Sequence, residues 1–180
     1  MKSKSLSIII PHYNDNKNLT NLVKSIQSDK SFGKNDEIII IDDNSKLKPF
    51  FKKKNIVCKY NKKNKGPSYS RNKGIQNSRK QILCFLDSDT FLINGGIASI
   101  KKFYQKKKNI NCILNGVVSL KPINPNFFTD YKAINEYFWY LEQKKKEGYQ
   151  ILNTRVGCIR AKLIKGKPFK FDEKFKDASM

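Results

Sequence analysis

The chain lacks most of what membrane proteins, disulfide scaffolds and metal knuckles need. No apolar run approaches the roughly 20 residues that cross a bilayer as a helix. The run nearest the N-terminus, Leu6 to Ile10, is broken by Ser7 and stopped by Pro11, so it is too short for a signal peptide. Only four of the 180 residues are cysteine (Cys58, Cys84, Cys112 and Cys158), and none lies within metal-ligand spacing of another. That excludes a zinc knuckle. Three of them sit in apolar, strand-like runs, as buried thiols do, and point to a reducing cytoplasm. Histidine occurs once, at His12. Acidic residues are scarce, 15 against 37 Lys and Arg, for a net charge of +22. A surface of that charge attracts polyanions, whether nucleic acid, anionic headgroups or acidic glycans. Most of the charge is lysine in runs such as 52–54, 106–108 and 144–146, in a chain also rich in Asn and Ile. This reads as biased composition on solvated faces rather than as a dedicated site. There is no RNP-like aromatic strand, helix-turn-helix or zinc spacing, so charge alone speaks for nucleic acid.

What is present is a repeated design. Leu83, Cys84, Phe85 and Leu86 run into Asp87-Ser88-Asp89. A short continuous apolar run suits a strand buried on both faces. Glu37-Ile38-Ile39-Ile40-Ile41 is a second such run, ending in Asp42-Asp43-Asn44-Ser45. A third, Leu6 to Ile10, ends in Pro11-His12-Tyr13-Asn14-Asp15. In a parallel sheet these three ends share one edge, where ligands of open α/β sheets collect. Carboxylates there can hold a hard divalent cation through oxygen. An Asp-rich turn without a ligand is the plainer reading of any one of them.

Along the chain, Leu19, Leu22, Val23 and Ile26 recur at helical spacing after several N-cap candidates between Asn14 and Asn18. A short strand is expected at 55–60, a chain break at Gly66-Pro67, and a polar helix at about 68–79. Strand 81–87 follows, then a helix opened by Gly95-Gly96 that carries Ile97, Ile100, Phe103 and Tyr104. Residues 110–120 read as a strand with a possible bulge at Gly116. Residues 127–143 read as a helix whose aromatic residues pack into the core; the other reading is a platform for a sugar or lipid acceptor. The tail mixes a short strand with a brief helix near 161–165. Strand and helix alternate for two thirds of the chain, so the fold class is α/β with a mostly parallel sheet of six or seven strands flanked by helices. The length suits one domain, and there is neither repeat nor linker.

Three kinds of chemistry compete. Asp-x-Asp after a buried strand resembles the nucleophile loop of haloacid-dehalogenase-like phosphatases. That loop, however, wants Thr or Val two places after the second Asp, where Phe91 stands, and it closes a first strand. A basic nucleic-acid-binding domain is the second reading. A metal-assisted transferase that uses a nucleotide diphosphate is the third, and it alone accounts for all three strand ends.

Five segments in order, 7–14, 37–45, 64–74, 85–89 and Phe171-Asp172-Glu173-Lys174-Phe175, resemble the family 2 glycosyltransferases. The resemblance implies a GT-A fold and inverting transfer of a sugar from a nucleotide-diphosphate donor to an acceptor hydroxyl, as in polysaccharide synthesis. It implies one domain over 1–180, with 1–120 the nucleotide-sugar-binding half and 121–180 the start of an acceptor-binding half. It places Pro11, Tyr13 and Asn14 at base and ribose, and Asp43 on the base with Asp42 beside it. Gly66, Pro67, Arg71 and Asn72 fall near the nucleotide. Asp87 and Ser88 meet the nucleotide-sugar, and Asp89 holds Mg²⁺ or Mn²⁺. His12 shapes its turn rather than acting as base. Arg160 matches the family's arginine before Phe-Asp-Glu, and Asn153 and Thr154 match an acceptor-side loop. The general base is expected just beyond Met180, with Asp177 a poorer candidate, so the resemblance implies a truncated chain of weak transfer activity. The implied partners are the donor and a glycan or lipid-linked acceptor. A cytoplasmic location follows, with peripheral contact at the inner face of an anionic membrane.

Overall fold

The computed structural model describes residues 4–107, 111–117, 119–121, 125–145, 152–167 and 171–174. Six strands form one sheet: β1 (Leu6–His12), β2 (Glu37–Asp42), β3 (Ile56–Tyr60), β4 (Ile82–Leu86), β5 (Ile113–Asn115) and β6 (Val156–Arg160). Their order across the sheet is β3-β2-β1-β4-β6-β5. The β1, β2, β3 and β4 pairings are parallel, and β6 runs antiparallel to both β4 and β5. The mostly parallel sheet of the sequence reading is therefore present, with β6 the one reversed strand among those described.

Helices cover both faces, which is why β1, β2 and β4 are apolar without alternation. Ile8, Ile10, Ile38, Ile40 and Cys84 pack on α1 (Asn16–Ser28) and α3 (Gly96–Lys106) through Leu22, Ile26, Ile97 and Tyr104. On the other face Ile9, Leu83 and Phe85 meet Ile75 of α2 (Gly66–Asn77) and Ala161 and Ile164 beyond β6. Asp15 caps α1 by accepting the Asn18 N–H at 3.2 Å. Asp29, buried where α1 ends, accepts the Ile97 N–H at 2.9 Å and caps α3.

Three local expectations are corrected. Gly66-Pro67 does not separate strand from helix; it opens α2, with Pro67 in the first turn, where a missing N–H costs nothing. Of the strand read over 110–120, the described residues show Ile113–Asn115; residues 110 and 118 lie outside them. The strand stops where the Gly116 N–H reaches the Val156 carbonyl at 2.7 Å, a crossing so close that a Cβ at Gly116 would lie 2.4 Å from Val156 Cγ1. The aromatic helix α4 (Phe127–Lys145) does not bury its aromatic residues, and Ala133 is its buried contact.

Helix α2 approaches β1 at Gly74, where a Cβ would stand 2.3 Å from Ile9 Cγ2. Gly74→Ala gains about 1 kcal/mol of helix propensity but overpacks a fixed β-branched neighbour at about 1–3 kcal/mol. The expected outcome is a net loss of stability, read as a lower urea midpoint with unchanged slope.

Candidate active site at the carboxyl edge of the sheet

The chain leaves β1 towards β2 and β3, then returns to the other side of β1 as β4. The strand order therefore reverses between β1 and β4, the place where open α/β sheets bind ligands. The two strands also separate there. The β1–β2 ladder runs to His12↔Asp42, whereas the β1–β4 ladder ends at Ile9↔Phe85. The His12 carbonyl accepts the Asp43 N–H at 2.8 Å, so residue 12 bonds towards β2. Residue 11, one pleat back, faces β4, and as proline it offers no donor on that side. Pro11 thus ends the pairing and opens the crevice.

The loops after β1 and β2 are tied to each other. Asn14 and Asn44 both adopt left-handed backbone, with φ of 52° and 68°, a conformation Asn tolerates better than most residues. Asn14 receives a bond from the Lys46 N–H at 2.9 Å and gives its own N–H to Ser45 Oγ at 2.8 Å. Tyr13 stands half-exposed above them. Asp42 is fully buried; its Oδ2 accepts the Ser45 N–H at 3.2 Å and faces Lys48 Nζ at 3.5 Å. Its Oδ1 has no hydrogen-bond partner, and neither does His12 Nδ1 nearby. His12 Nε2 meets Asn16 Oδ1 at 3.0 Å and lies 4.0 Å from Asp42.

Asp43 is differently placed. Its carboxylate accepts Asn61 Nδ2 at 2.7 Å, the Lys65 N–H at 3.0 Å and the Gly66 N–H at 2.7 Å. Both oxygens are thus occupied at the N-terminus of α2, a favourable position for negative charge. The resemblance gives Asp43 to the base; the geometry makes it the cap of α2 and leaves the unpartnered oxygen on Asp42.

Across the crevice, Arg71 Nη2 donates to Asp87 Oδ1 at 2.7 Å. The guanidinium lies 5.9 Å from the Phe171 ring, and its Nε is buried without a partner. Asp89 is exposed and Ser88 half-buried. Asn72 turns away from the crevice: its amide holds the Phe171 carbonyl at 2.9 Å and Glu173 Oε1 at 2.8 Å, and its oxygen accepts the Phe171 N–H at 2.9 Å. Phe171 also sits edge-on to Phe85, with ring centroids 5.3 Å apart. The Phe-Asp-Glu segment is therefore latched to α2 and β4. Asp177 lies outside the described residues.

The antiparallel course of β6 corrects the assignment of Arg160. Ile82, at the start of β4, pairs with Arg160, so this arginine lies at the far edge of the sheet. It bonds the carbonyls of Tyr104 and Lys107 and stacks 5.0 Å from the Tyr104 ring. The residues preceding β6 face the site instead. The Arg155 carbonyl accepts the Asp87 N–H at 3.4 Å, and its guanidinium pairs with Glu136 of α4. Asn153, beside Thr154, receives the Arg155 N–H at 3.0 Å and gives its own to Asn115 at 3.0 Å. Lys48, Asn61, Arg155 and Glu136 escaped sequence reading. Their partners are 6 to 19 residues away in sequence, as in the Asn61–Asp43 and Arg155–Glu136 pairs, and leave no local pattern.

Chemically, the edge combines one exposed carboxylate, one carboxylate held by arginine, and exposed Lys46, Lys48, Lys62, Lys63 and Lys65 on the neighbouring loops. No cluster of three or more His, Cys, Asp or Glu able to hold a metal alone occurs among the described residues. An oxygen donor set of one or two carboxylates fits a cation that completes its shell from substrate phosphates.

This chain belongs to glycosyl transferase family 2, whose model matches residues 7–165. An uncharacterized glycosyltransferase of Rickettsia conorii is 34% identical over 153 residues, covering 79% of this chain and 22% of the relative. The poly(ribitol-phosphate) β-N-acetylglucosaminyltransferase TarP of Staphylococcus aureus is 32% identical over 118 residues, 62% of this chain and 36% of its own. Among solved structures, S. aureus TarS (1–349) superposes with a TM-score of 0.70 at 19% identity, over 97% of this chain and 52% of that one. TarS has also been solved with UDP-GlcNAc, matched here with a TM-score of 0.57 at 22% identity, over 68% of this chain and 36% of that one. The fold is GT-A, and the phosphatase and nucleic-acid readings fall away.

Two outcomes follow. Burial lowers the pKa of His12 below its usual 6.5, despite the opposing charge of Asp42. The unfolded chain then takes up the proton more readily, so stability is full above pH 6.5 and falls as the pH drops below it. Since His12 is the sole histidine, His12→Gln should flatten the denaturation midpoint between pH 7.5 and 5.5. Asp43→Ala leaves the Lys65 and Gly66 N–H groups unmatched and should cost about 1–3 kcal/mol, seen as a lower melting temperature without nucleotide.

Proposed function

We propose that this chain is the donor-binding part of a metal-assisted, inverting glycosyltransferase that uses a nucleotide-diphosphate sugar. The observation that carries the reading is the β1–β4 crevice, with Asp87 held by Arg71 on one wall and exposed Asp89 beside it. On this reading Pro11, Tyr13 and Asn14 receive the base and ribose, with buried Asp42 behind them. Asp43, Gly66 and Pro67 fix the start of α2 beneath the nucleotide. Asp87 and Ser88 meet the sugar-nucleotide, and Asn72 positions the acceptor-side segment. The surrounding lysines draw the diphosphate in.

Asp89 would hold Mg²⁺ or Mn²⁺, and the bound cation would supply Lewis-acid stabilisation of the charge on the departing diphosphate. Arg71 lies close enough to Asp87 to share that anionic load when donor arrives. An acceptor hydroxyl, on a glycan or a lipid-linked sugar, attacks the anomeric carbon from the opposite face as a carboxylate base takes its proton. UDP is the nucleotide we favour, because TarS has been solved with UDP-GlcNAc. The TarP relative, named for poly(ribitol-phosphate), favours a surface polysaccharide as the acceptor class. We place the reaction in the cytoplasm, in keeping with the free thiols of Cys58, Cys84, Cys112 and Cys158.

Calorimetry with UDP, GDP and dTDP, with Mn²⁺ or Mg²⁺ and then with chelator, tests the reading. One nucleotide should bind most tightly, and only with metal. Asp89→Ala should remove the metal-dependent part, and Asp87→Ala should weaken binding by about 10- to 100-fold, as expected for charged hydrogen bonds. Nucleotide binding that ignores both metal and Asp89 would sink the metal assignment.

A further inference from the structure

Helix α4 carries its aromatic residues on the outside. Phe127, Tyr131, Ile134 and Phe138 recur at i, i+4, i+7 and i+11, one stripe along the helix. Phe128 and Trp139 widen it on one side. Their exposures are 78%, 64%, 48% and 61% for the stripe and 79% and 54% for the two flanking residues. The helix is seated by its other side, where Ala133 is buried and Glu136 pairs with Arg155. Packing against the described domain therefore does not explain the stripe. A contiguous apolar face of this kind marks an interaction surface.

We infer that this face lies on an anionic lipid bilayer. Charge complementarity selects the occupant. The chain carries +22 net charge; on α4 itself exposed Lys132 lies beside Phe128 and Trp139, and Lys144-Lys145-Lys146 follows in sequence, against exposed Glu142 at the end of the stripe. The residue types agree: Trp, Tyr and Phe sit at headgroup depth, where a ring meets both acyl chain and water. The helix lies in the interface and does not span, since no described helix is long and apolar enough to cross a membrane. Nineteen residues give about 28 Å of helix along the surface. Through Glu136 and Arg155 the helix is joined to the loop that carries Asp87, so docking holds the strand-end crevice beside the membrane. Docking stands independently of the donor assignment; only its consequence, access to a lipid-linked acceptor, rests on it.

Trp139 is the only tryptophan, so its fluorescence reports this face alone. The full chain is mixed with phosphatidylcholine vesicles, with or without an equal share of phosphatidylglycerol, at low and high salt. Sedimentation with the anionic vesicles at low salt, together with a blue shift of Trp139 emission, is the expected result. A Phe127→Ser/Phe138→Ser double variant should keep its melting temperature and nucleotide binding, yet partition roughly tenfold or more weakly and lose the shift. Sedimentation without a shift would assign binding to lysines elsewhere and overturn the proposal. So would a double variant that binds like the parent. Trp139 emission that is already blue without vesicles and moves red on dilution would show a second copy on this face, and would overturn it equally.

Discussion

The parallel register of β1 between β2 and β4 is the constraint on which the rest depends. It brings the ends of three strands from separate parts of the chain onto one edge, and the edge has function only because the ends are adjacent. The register is strongly specified because the strands are buried on both faces, with Ile8, Ile9, Ile10, Ile38, Ile39, Ile40, Leu83, Cys84 and Phe85 almost wholly excluded from water. A slip would move Glu37 and Ser7 out of their hydrogen bond at the opposite edge, where Ser7 Oγ donates to Glu37 Oε1 at 2.7 Å. Pro11 then limits the same ladder from within, parting β1 from β4 where room for a ligand is needed.

The second constraint is electrostatic. A chain with few acids places four of them, Asp42, Asp43, Asp87 and Asp89, on one edge. Each has a different environment. Asp43 is neutralised by N–H groups at a helix start, Asp87 by Arg71, and Asp42 partly by Lys48. Asp89 alone of the four is exposed. Such separation keeps each carboxylate in surroundings of its own. It leaves two kinds of unfilled valence at the crevice: a buried acceptor on Asp42 and a solvated anion on Asp89. On the proposed reading, Asp89 is where a hard cation would bind.

Much of this was legible in the sequence, for a physical reason. Parallel strands covered on both faces read as continuous apolar runs, so β1, β2 and β4 and their polar ends stood out. Helix α1 showed through its Leu19, Leu22, Val23 and Ile26 spacing. What failed depended on direction or distance. Gly66-Pro67 signals a local break and does not say whether the helix starts at it or just after it. The match of Arg160 to a family arginine carries no strand polarity; β6 is reversed, so Arg160 lies at the far edge and the residues before β6, Asn153 to Arg155, face the site. The aromatic spacing of α4 identified a face but not whether anything covers it. The Arg71–Asp87 and Asn72–Phe171 pairs, 16 and 99 residues apart, leave no local trace.

Those last two pairs show how the site is organised. Arg71 and Asn72 are consecutive on α2, yet they serve different walls: Arg71 grips the Asp-Ser-Asp loop, and Asn72 clamps the Phe171–Glu173 segment by three hydrogen bonds. Phe171 closes the circuit, edge-on to Phe85 at the end of β4 and close to the Arg71 guanidinium. One turn of helix therefore fixes the distance between the Asp87–Asp89 loop and the Phe171–Glu173 segment, the donor and acceptor sides of the proposed reading. Asp43 fixes where that helix begins, and Gly74 lets it lie close on β1. Transfer between two bound molecules requires both walls to be held in mutual register. In this chain that register comes from the rigid start of α2.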